Sequence, residues 1–506
     1  MSSIAAGHPE CCEAGSTILA AGGNAVDAAV AATLAAFVSE VGLTGPFGGG
    51  FALVAGHGVA PVAFDFFADV PGRGLQTIDP VNLDFKGVDV SFGPTTQTFH
   101  VGRGSVAVSS VLAGLLKLHQ RFGQASWEAV SAPAIALAQQ GTVLTADTVK
   151  TMSLLVPIMT ATSAAAALYH PEARLPDAGE RLRNEELARF IEGARPRLDL
   201  LTTLFPPPSG LITDLDIAEY NVVERRPLHL RVAPYDIYLN PPPSSGGALV
   251  AFGLRLLERN APDSWDDEVK ASRLLLAAMA TTLAARSRAP LEELASPEAV
   301  GQWNPVMDKA LHESLPLEPS SPLGSTTHVS VMDSRGLACA ITSSNGEGSG
   351  VVIPRTGSMG NNFLGEDDLN PNGFHRNPVG ERLTSMMCPI VVMKDGRPVM
   401  ALGTGGSNRI RTALLQVLAR IVFRGETLER AVNTPRFHYE NDSLYLEHAC
   451  GERRMPAKVR ETLESASKRT VNFERMSMFF GGVHAVSANE AVGDPRRQGT
   501  ARTLPV

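Results

Sequence analysis

The chain has 506 residues, 44% of them hydrophobic and 19% charged, with a formal net charge of −8. This composition describes an ordinary soluble protein with ample core, and the lack of a basic block excludes nucleic acid as a partner, because phosphate binding needs clustered Lys and Arg. Five cysteines form no CxxC or Cys/His ligand spacing, so no metal and no disulfide framework is expected, and buried free thiols are the default.

In chain order, residues 1–10 carry neither a basic n-region nor an apolar h-region, which reads as a cytoplasmic protein, exported only if the sequence has been trimmed. The Ala-rich stretch 25–38 is interrupted by Asp27 and is too short for a ~30 Å bilayer, so it predicts a buried helix and no membrane partner. Residues 315–324 are rich in Pro and Ser without any period and read as an exposed linker. Beyond it, 328–333 and 337–342 alternate around a turn at 334–336, predicting a β-hairpin. A second hairpin is expected around 394–397, then an apolar strand at 399–402, a glycine-rich turn at 403–408 and an amphipathic helix over 409–422.

The junction Ser325-Thr326 lies between the linker and the first of these strands. Backbone cleavage there would free a Thr whose α-amine, with an unperturbed pKa of about 7.7–8, is partly neutral near pH 7 and can activate the adjacent hydroxyl as a nucleophile. Before cleavage the same hydroxyl can attack the Ser325 carbonyl, splitting the chain into residues 1–325 and 326–506. His328 invites a Ser/His reading, but neighbouring strand residues point to opposite faces, so it diverges from Thr327 and is given a structural role.

The segments GGNAVDAAV (22–30), GGGF (48–51), APAIALA (132–138), NPPPSSGG (240–247), TTH (326–328), GSG (348–350), LTSM (383–386), GGS (405–407), AVNTPRFH (431–438) and DPRR (494–497) together resemble the γ-glutamyltransferase (glutathione hydrolase) family, in its order and over nearly the whole chain. The resemblance implies an α+β N-terminal nucleophile hydrolase: a four-layer αββα sandwich, two stacked antiparallel sheets between helix layers. Residues 1–325 and 326–506 would be the large- and small-subunit regions of one interleaved domain, the two chains of one precursor. It implies Thr326 as nucleophile, Ser344 as the hydroxyl that orients it, and Gly405 and Gly406 as the oxyanion hole. Backbone N–H groups at such glycines can approach a developing oxyanion. Thr384 and Ser385 correspond to the paired hydroxyls that bind the substrate carboxylate, and Asn345 to a further contact if a gap is placed. Acyl transfer of this kind needs no cofactor. A phosphate-binding loop is the rival reading of 403–408, but no Lys-Ser/Thr ends it.

The departures concern recognition of a glutamyl group. Typical members carry an Arg within Asp-x-Arg-Glu-x-Ala-Pro; here DFFADVP (65–71) places Phe67 there. A guanidinium makes bidentate bonds to a carboxylate that a phenyl ring cannot; nearby Arg73 reads better as a loop arginine. In NNFLGEDD (361–368), Phe363 replaces the family's Gln/Glu. One of Glu366, Asp367 and Asp368 can take a substrate amine, with Asp367 the expected one. The sequence therefore predicts a self-processing amidohydrolase or acyltransferase acting on a γ-glutamyl-like amide, or on another N-acyl compound more apolar than glutathione. The alternatives are a dedicated acylase and an uncleaved, ligand-binding homologue.

Overall fold

The structure, a computed structural model, describes all residues except 92–95, 261–264, 313–314, 316–325, 441 and 506. Ser325 and nearly all of the expected linker lie outside the described residues.

The chain is mixed α+β and is organised by two antiparallel sheets. The first has seven strands in the order Thr500–Leu504, Ser2–Ala6, Thr327–Met332, Leu337–Ser344, Gly49–Gly56, Val59–Asp65, Val223–Arg225. The second has six: Ala491–Val492, Gly482–Ser487, Arg397–Gly405, Ile390–Lys394, Tyr235–Leu239, Leu228–Val232. Both expected hairpins are present, the first with Thr327 opposite Ser343 and Met332 opposite Ala338, the second pairing Ile390 with Leu402. Each sheet combines strands from before and after Thr326, so neither part of the chain holds a complete sheet by itself.

The sheets pack face to face, and the side-chain period of two explains how. In Leu337–Ser344, Ala338 and Ala340 join Ala5, Ala55, Ala63 and Ala401 in the layer between sheets. Cys339 and Ile341 point the other way, into a core that also holds Ala28, Ala31, Ala32 and Ala35 of the helix Ala25–Ser39. Alanines in the shared layer let the sheets approach closely. His328 belongs to that layer, its Nδ1 and Nε2 hydrogen-bonded to Thr342 Oγ1 at 2.7 Å and Ser330 Oγ at 2.8 Å, so the ring is committed to structure.

Every residue of the helix Ala25–Ser39 is buried, Asp27 included. Its carboxylate accepts backbone N–H bonds from Asn24, Gln124 and Ala125 at 2.9 to 3.1 Å, which compensates a buried charge that would otherwise be costly. Against the second sheet pack the helices Ser245–Asn260 and Arg409–Arg424, the latter extending the expected amphipathic stretch. The five cysteines are all buried and free. Among the described residues, no helix is long and apolar enough to cross a membrane.

Candidate active site

Thr326 immediately precedes the strand Thr327–Met332 and is buried, with 6% of its surface exposed. In the facing sheet, the strand Arg397–Gly405 ends against it. A Cβ added to Gly405 would fall 1.9 Å from the Thr326 carbonyl oxygen, so only glycine allows this approach. Gly406 follows at φ 129 and Ser407 at φ 48, a left-handed sequence that turns the chain sharply from strand to helix. Gly405→Ala is therefore expected to lower unfolding stability by about 1–3 kcal/mol through overpacking, read from the urea midpoint.

Two cavities meet at Thr326. The smaller, about 30 Å³, has an apolar wall of Phe67, Phe363, Leu369, Met386, Met387 and Ile410. Phe67 and Phe363, far apart in sequence, meet with ring centroids 4.9 Å apart, and Phe51 stacks behind Phe67 at 5.6 Å. The Phe67 loop is held by Arg382, which donates to Asp69 Oδ1 at 2.6 Å, Asp65 Oδ1 at 2.9 Å and the Phe67 carbonyl at 3.0 Å. The loop's nearest guanidinium is thus spent on its own backbone and acids. Arg73 is likewise paired, with Asp216 at 3.4 Å and Asp69 at 3.5 Å. Among the described residues, no Arg or Lys lines this cavity.

Its polar side consists of Ser344, Ser385, Ser407, Glu366 and Asp368. Ser344 Oγ accepts from Gly346 N–H at 2.9 Å, and Ser385 Oγ accepts from Met387 N–H at 3.2 Å. Ser407 Oγ donates to Asp368 Oδ2 at 2.7 Å. Burial raises the Asp368 carboxyl above its usual range, although the Ser407 bond, Arg286 and Arg409 oppose the shift. Glu366 is raised much further, by burial and then by the charges of Asp368 and Glu347, and its Oε1 has no hydrogen-bond partner.

Of the residues expected from sequence, Phe67, Ser344, Phe363 and Ser385 border one cavity with Thr326, and Gly405 supports it from the facing sheet. Three others are placed elsewhere. Asn345 is buried beside a different cavity, its Nδ2 3.4 Å from the Met359 and Gly360 carbonyls. Thr384 is half-buried and does not reach the cavity that Ser385 lines, since successive residues of an extended segment face opposite ways. Asp367 is exposed, and the acids that reach the cavity are Glu366 and Asp368. The turn Phe363–Gly365 sets this alternation, which the inserted residues hid from sequence comparison.

The larger cavity, about 130 Å³, was not anticipated. Thr326 and Thr327 border it together with His8, Glu40 and Arg497. Burial lifts the Glu40 carboxyl to about 7, despite the opposing influence of the Thr327 hydroxyl, the Cys11 thiol and Arg497. Arg497 Nη1 lies 3.4 Å from the Thr326 carbonyl. No local pattern marks His8 or Glu40 in the sequence; His8 arrives because Ser2–Ala6 pairs with Thr327–Met332, and Glu40 because it caps the helix Ala25–Ser39, which packs on the same strand.

Behind Arg497, the DPRR segment closes a buried ion network. Arg436 Nη2 donates to Asp494 Oδ2 at 2.6 Å, and Arg496 Nε donates to both Glu447 oxygens at 3.0 Å. Asp494 also accepts backbone N–H bonds from Val483 at 2.8 Å and Arg496 at 3.0 Å.

A family model described as Gamma-glutamyltranspeptidase matches residues 11–195 and 199–504. The chain is 29% identical to the glutathione hydrolase proenzyme of Pseudomonas aeruginosa, across 95% of this chain and 91% of that protein. It is 28% identical to the acylase ACY 1 proenzyme of Pseudomonas sp. (strain SE83), across 96% and 89%. The solved structure of cephalosporin acylase from Bacillus halodurans superimposes with a TM-score of 0.84 at 22% identity, covering 100% of this chain and 96% of that one. That likeness is one of fold. With a family model spanning nearly every residue from Cys11 to Leu504, the chain belongs to the γ-glutamyltranspeptidase family.

Proposed function

We propose that this protein is a self-processing amidohydrolase or acyltransferase of that family, with Thr326 as nucleophile and a small amide with an apolar acyl group as substrate. The fold is read as a four-layer αββα sandwich in which residues 1–325 and 326–506 become two interleaved chains. In the precursor, the Thr326 hydroxyl attacks the Ser325 carbonyl, the peptide nitrogen departs as the Thr326 amine, and water hydrolyses the resulting ester. In the mature protein the amine takes the hydroxyl proton as Oγ1 attacks the substrate carbonyl, and delivers it to the departing amine. Gly405 and Gly406 would stabilise the oxyanion by their N–H groups and Ser344 would orient the nucleophile. Water or a second amine then takes the acyl group. No step requires a cofactor.

The observation that carries the substrate reading is the smaller cavity: six apolar side chains at Thr326 and no Arg or Lys among its lining residues. A glutamyl α-carboxylate would enter without a cation, and lost charged hydrogen bonds cost about 1.5–3 kcal/mol each. A medium-chain N-acyl p-nitroanilide is therefore expected to be cleaved with a kcat/KM at least about tenfold above that of γ-glutamyl-p-nitroanilide. Equal or reversed values would overturn the apolar reading and leave the nucleophile assignment standing. Asp368 and Glu366 favour a second reading, an acyl group bearing an amine as a γ-glutamyl-like donor does. The same comparison, extended to an aminoacyl anilide, separates the two.

A further inference from the structure

The turn Gly405-Gly406-Ser407 is strained backbone. Gly406 takes φ 129 and Ser407 φ 48, and at Ser407 the left-handed conformation crowds a Cβ against its own carbonyl. A residue other than glycine stays there only when its surroundings hold it. Side-chain bonds do so at successive residues. Thr404 Oγ1 donates to the Gly405 carbonyl at 2.8 Å, and because the peptide is planar, that bond also fixes the direction of the Gly406 N–H. Ser407 Oγ donates to Asp368 Oδ2 at 2.7 Å. Asn408 is the N-cap of the helix Arg409–Arg424, yet its side chain makes no capping bond, and its Oδ1 accepts instead from Arg286 Nη1 at 2.9 Å. The helix starts from the same backbone, with the Arg409 and Ile410 N–H groups donating to the Gly406 and Ser407 carbonyls at 3.0 Å. Of the partners Thr404, Asp368 and Arg286, Asp368 is the one that borders the acyl cavity. It is itself firmly placed: Asn370 Nδ2 donates to the Phe363 and Glu366 carbonyls at 2.9 and 2.8 Å, which ties the residues on either side of Asp368 together.

We infer that Asp368 is a positioning residue for this turn: through the Ser407 hydroxyl it holds the Gly405-Gly406-Ser407 backbone in the shape that presents its N–H groups to the acyl carbonyl. This role rests on the function proposed above, in which those N–H groups stabilise the oxyanion, and it refines the second reading given there. An acid engaged by Ser407 is less available to a substrate amine, so Glu366 is the cavity acid left to meet one. Oxyanion donors are effective because their geometry is fixed before charge develops. Loosening the turn therefore lowers kcat and leaves substrate binding largely as it was.

The test measures kcat and KM for a medium-chain N-acyl p-nitroanilide and for an aminoacyl anilide, with rates referred to the cleaved fraction found by intact mass. Asp368→Ala and Ser407→Ala are each expected to lower kcat about 10–100-fold on both substrates with KM kept within about twofold, somewhat less than outright loss of an oxyanion donor. The double variant should be little worse than either single one, since both remove the same bond. Asp368→Asn retains an oxygen that accepts from the Ser407 hydroxyl and should recover kcat at least about fivefold on both substrates. A rise in KM confined to the aminoacyl anilide, with kcat kept, would make Asp368 a substrate ligand and overturn the assignment, as would additive losses in the double variant. Hydrogen exchange of residues 403–410, followed by mass spectrometry in the Thr326→Ala background, needs no activity. Exchange there should rise at least about tenfold with Asp368→Ala and return towards the parent with Asp368→Asn. Circular dichroism identifies a variant that fails to fold, in which case Ser407→Ala and Asp368→Asn carry the comparison. Unchanged exchange overturns the assignment even if anilides are cleaved. If exchange rises but the wild type cleaves neither anilide, the proposed function falls and the hold of Asp368 on the turn stands.

Discussion

Thr326→Ala will leave the chain whole and without amidase activity, whereas the wild type incubated at neutral pH will resolve into residues 1–325 and 326–506 by intact-mass measurement. The expected loss of turnover is at least about 10³-fold, the scale on which removing a covalent nucleophile acts. The structural basis is the position of Thr326, buried at the start of a strand, its carbonyl against Gly405 and its surroundings shared by both cavities. Among the described residues, no other hydroxyl borders both cavities: Ser344 and Ser385 border one only. Residual cleavage in the alanine variant would move the nucleophile elsewhere and return Thr326 to the role of a strand residue.

The second large effect is on stability. Arg496→Met is expected to cost about 3–5 kcal/mol, because it leaves Glu447 buried without a cation and Asp494 with Arg436 alone. The side chains of Arg496, Glu447 and Asp494 are fully inaccessible to solvent, so water cannot replace the lost partner. Urea denaturation measures the effect, and an unchanged midpoint would contradict it. The same network sets an acid limit. Burial works against ionising Asp494, but Arg436, Arg496 and the N–H groups of Arg496 and Val483 outweigh it and bring its pKa down to about 2. A depressed folded-state pKa contributes stability that is present above the unfolded carboxylate value of about 3.9 and is lost as pH falls towards the folded one. The wild-type midpoint should therefore fall between about pH 4 and pH 2, and Asp494→Asn should flatten that fall while lowering the plateau.

Alternation gave away the hairpins at Thr327–Met332 and Leu337–Ser344 and at Ile390–Lys394 and Arg397–Gly405, because side-chain period follows directly from strand geometry. The Ala-rich helix was legible from length and composition, although the reason Asp27 is tolerated, three backbone donors from two segments, was not. Family resemblance brought Phe67, Ser344, Phe363 and Ser385 to one place. It pointed to Asp367, whereas the structure turns Glu366 and Asp368 to the cavity, and to Asn345, which lines a different cavity.

By itself, the sequence determined the local elements, the family and the Thr at the start of a buried strand. These are properties of neighbouring residues or of motifs preserved in order. Only the tertiary structure decided which acids face Thr326, that Arg382 is committed to the Phe67 loop, and that His8, Glu40 and Arg497 enclose a second cavity beside it. Those facts depend on strand order and on the packing of the two sheets, where residues distant in the chain become neighbours through contacts that no local period encodes.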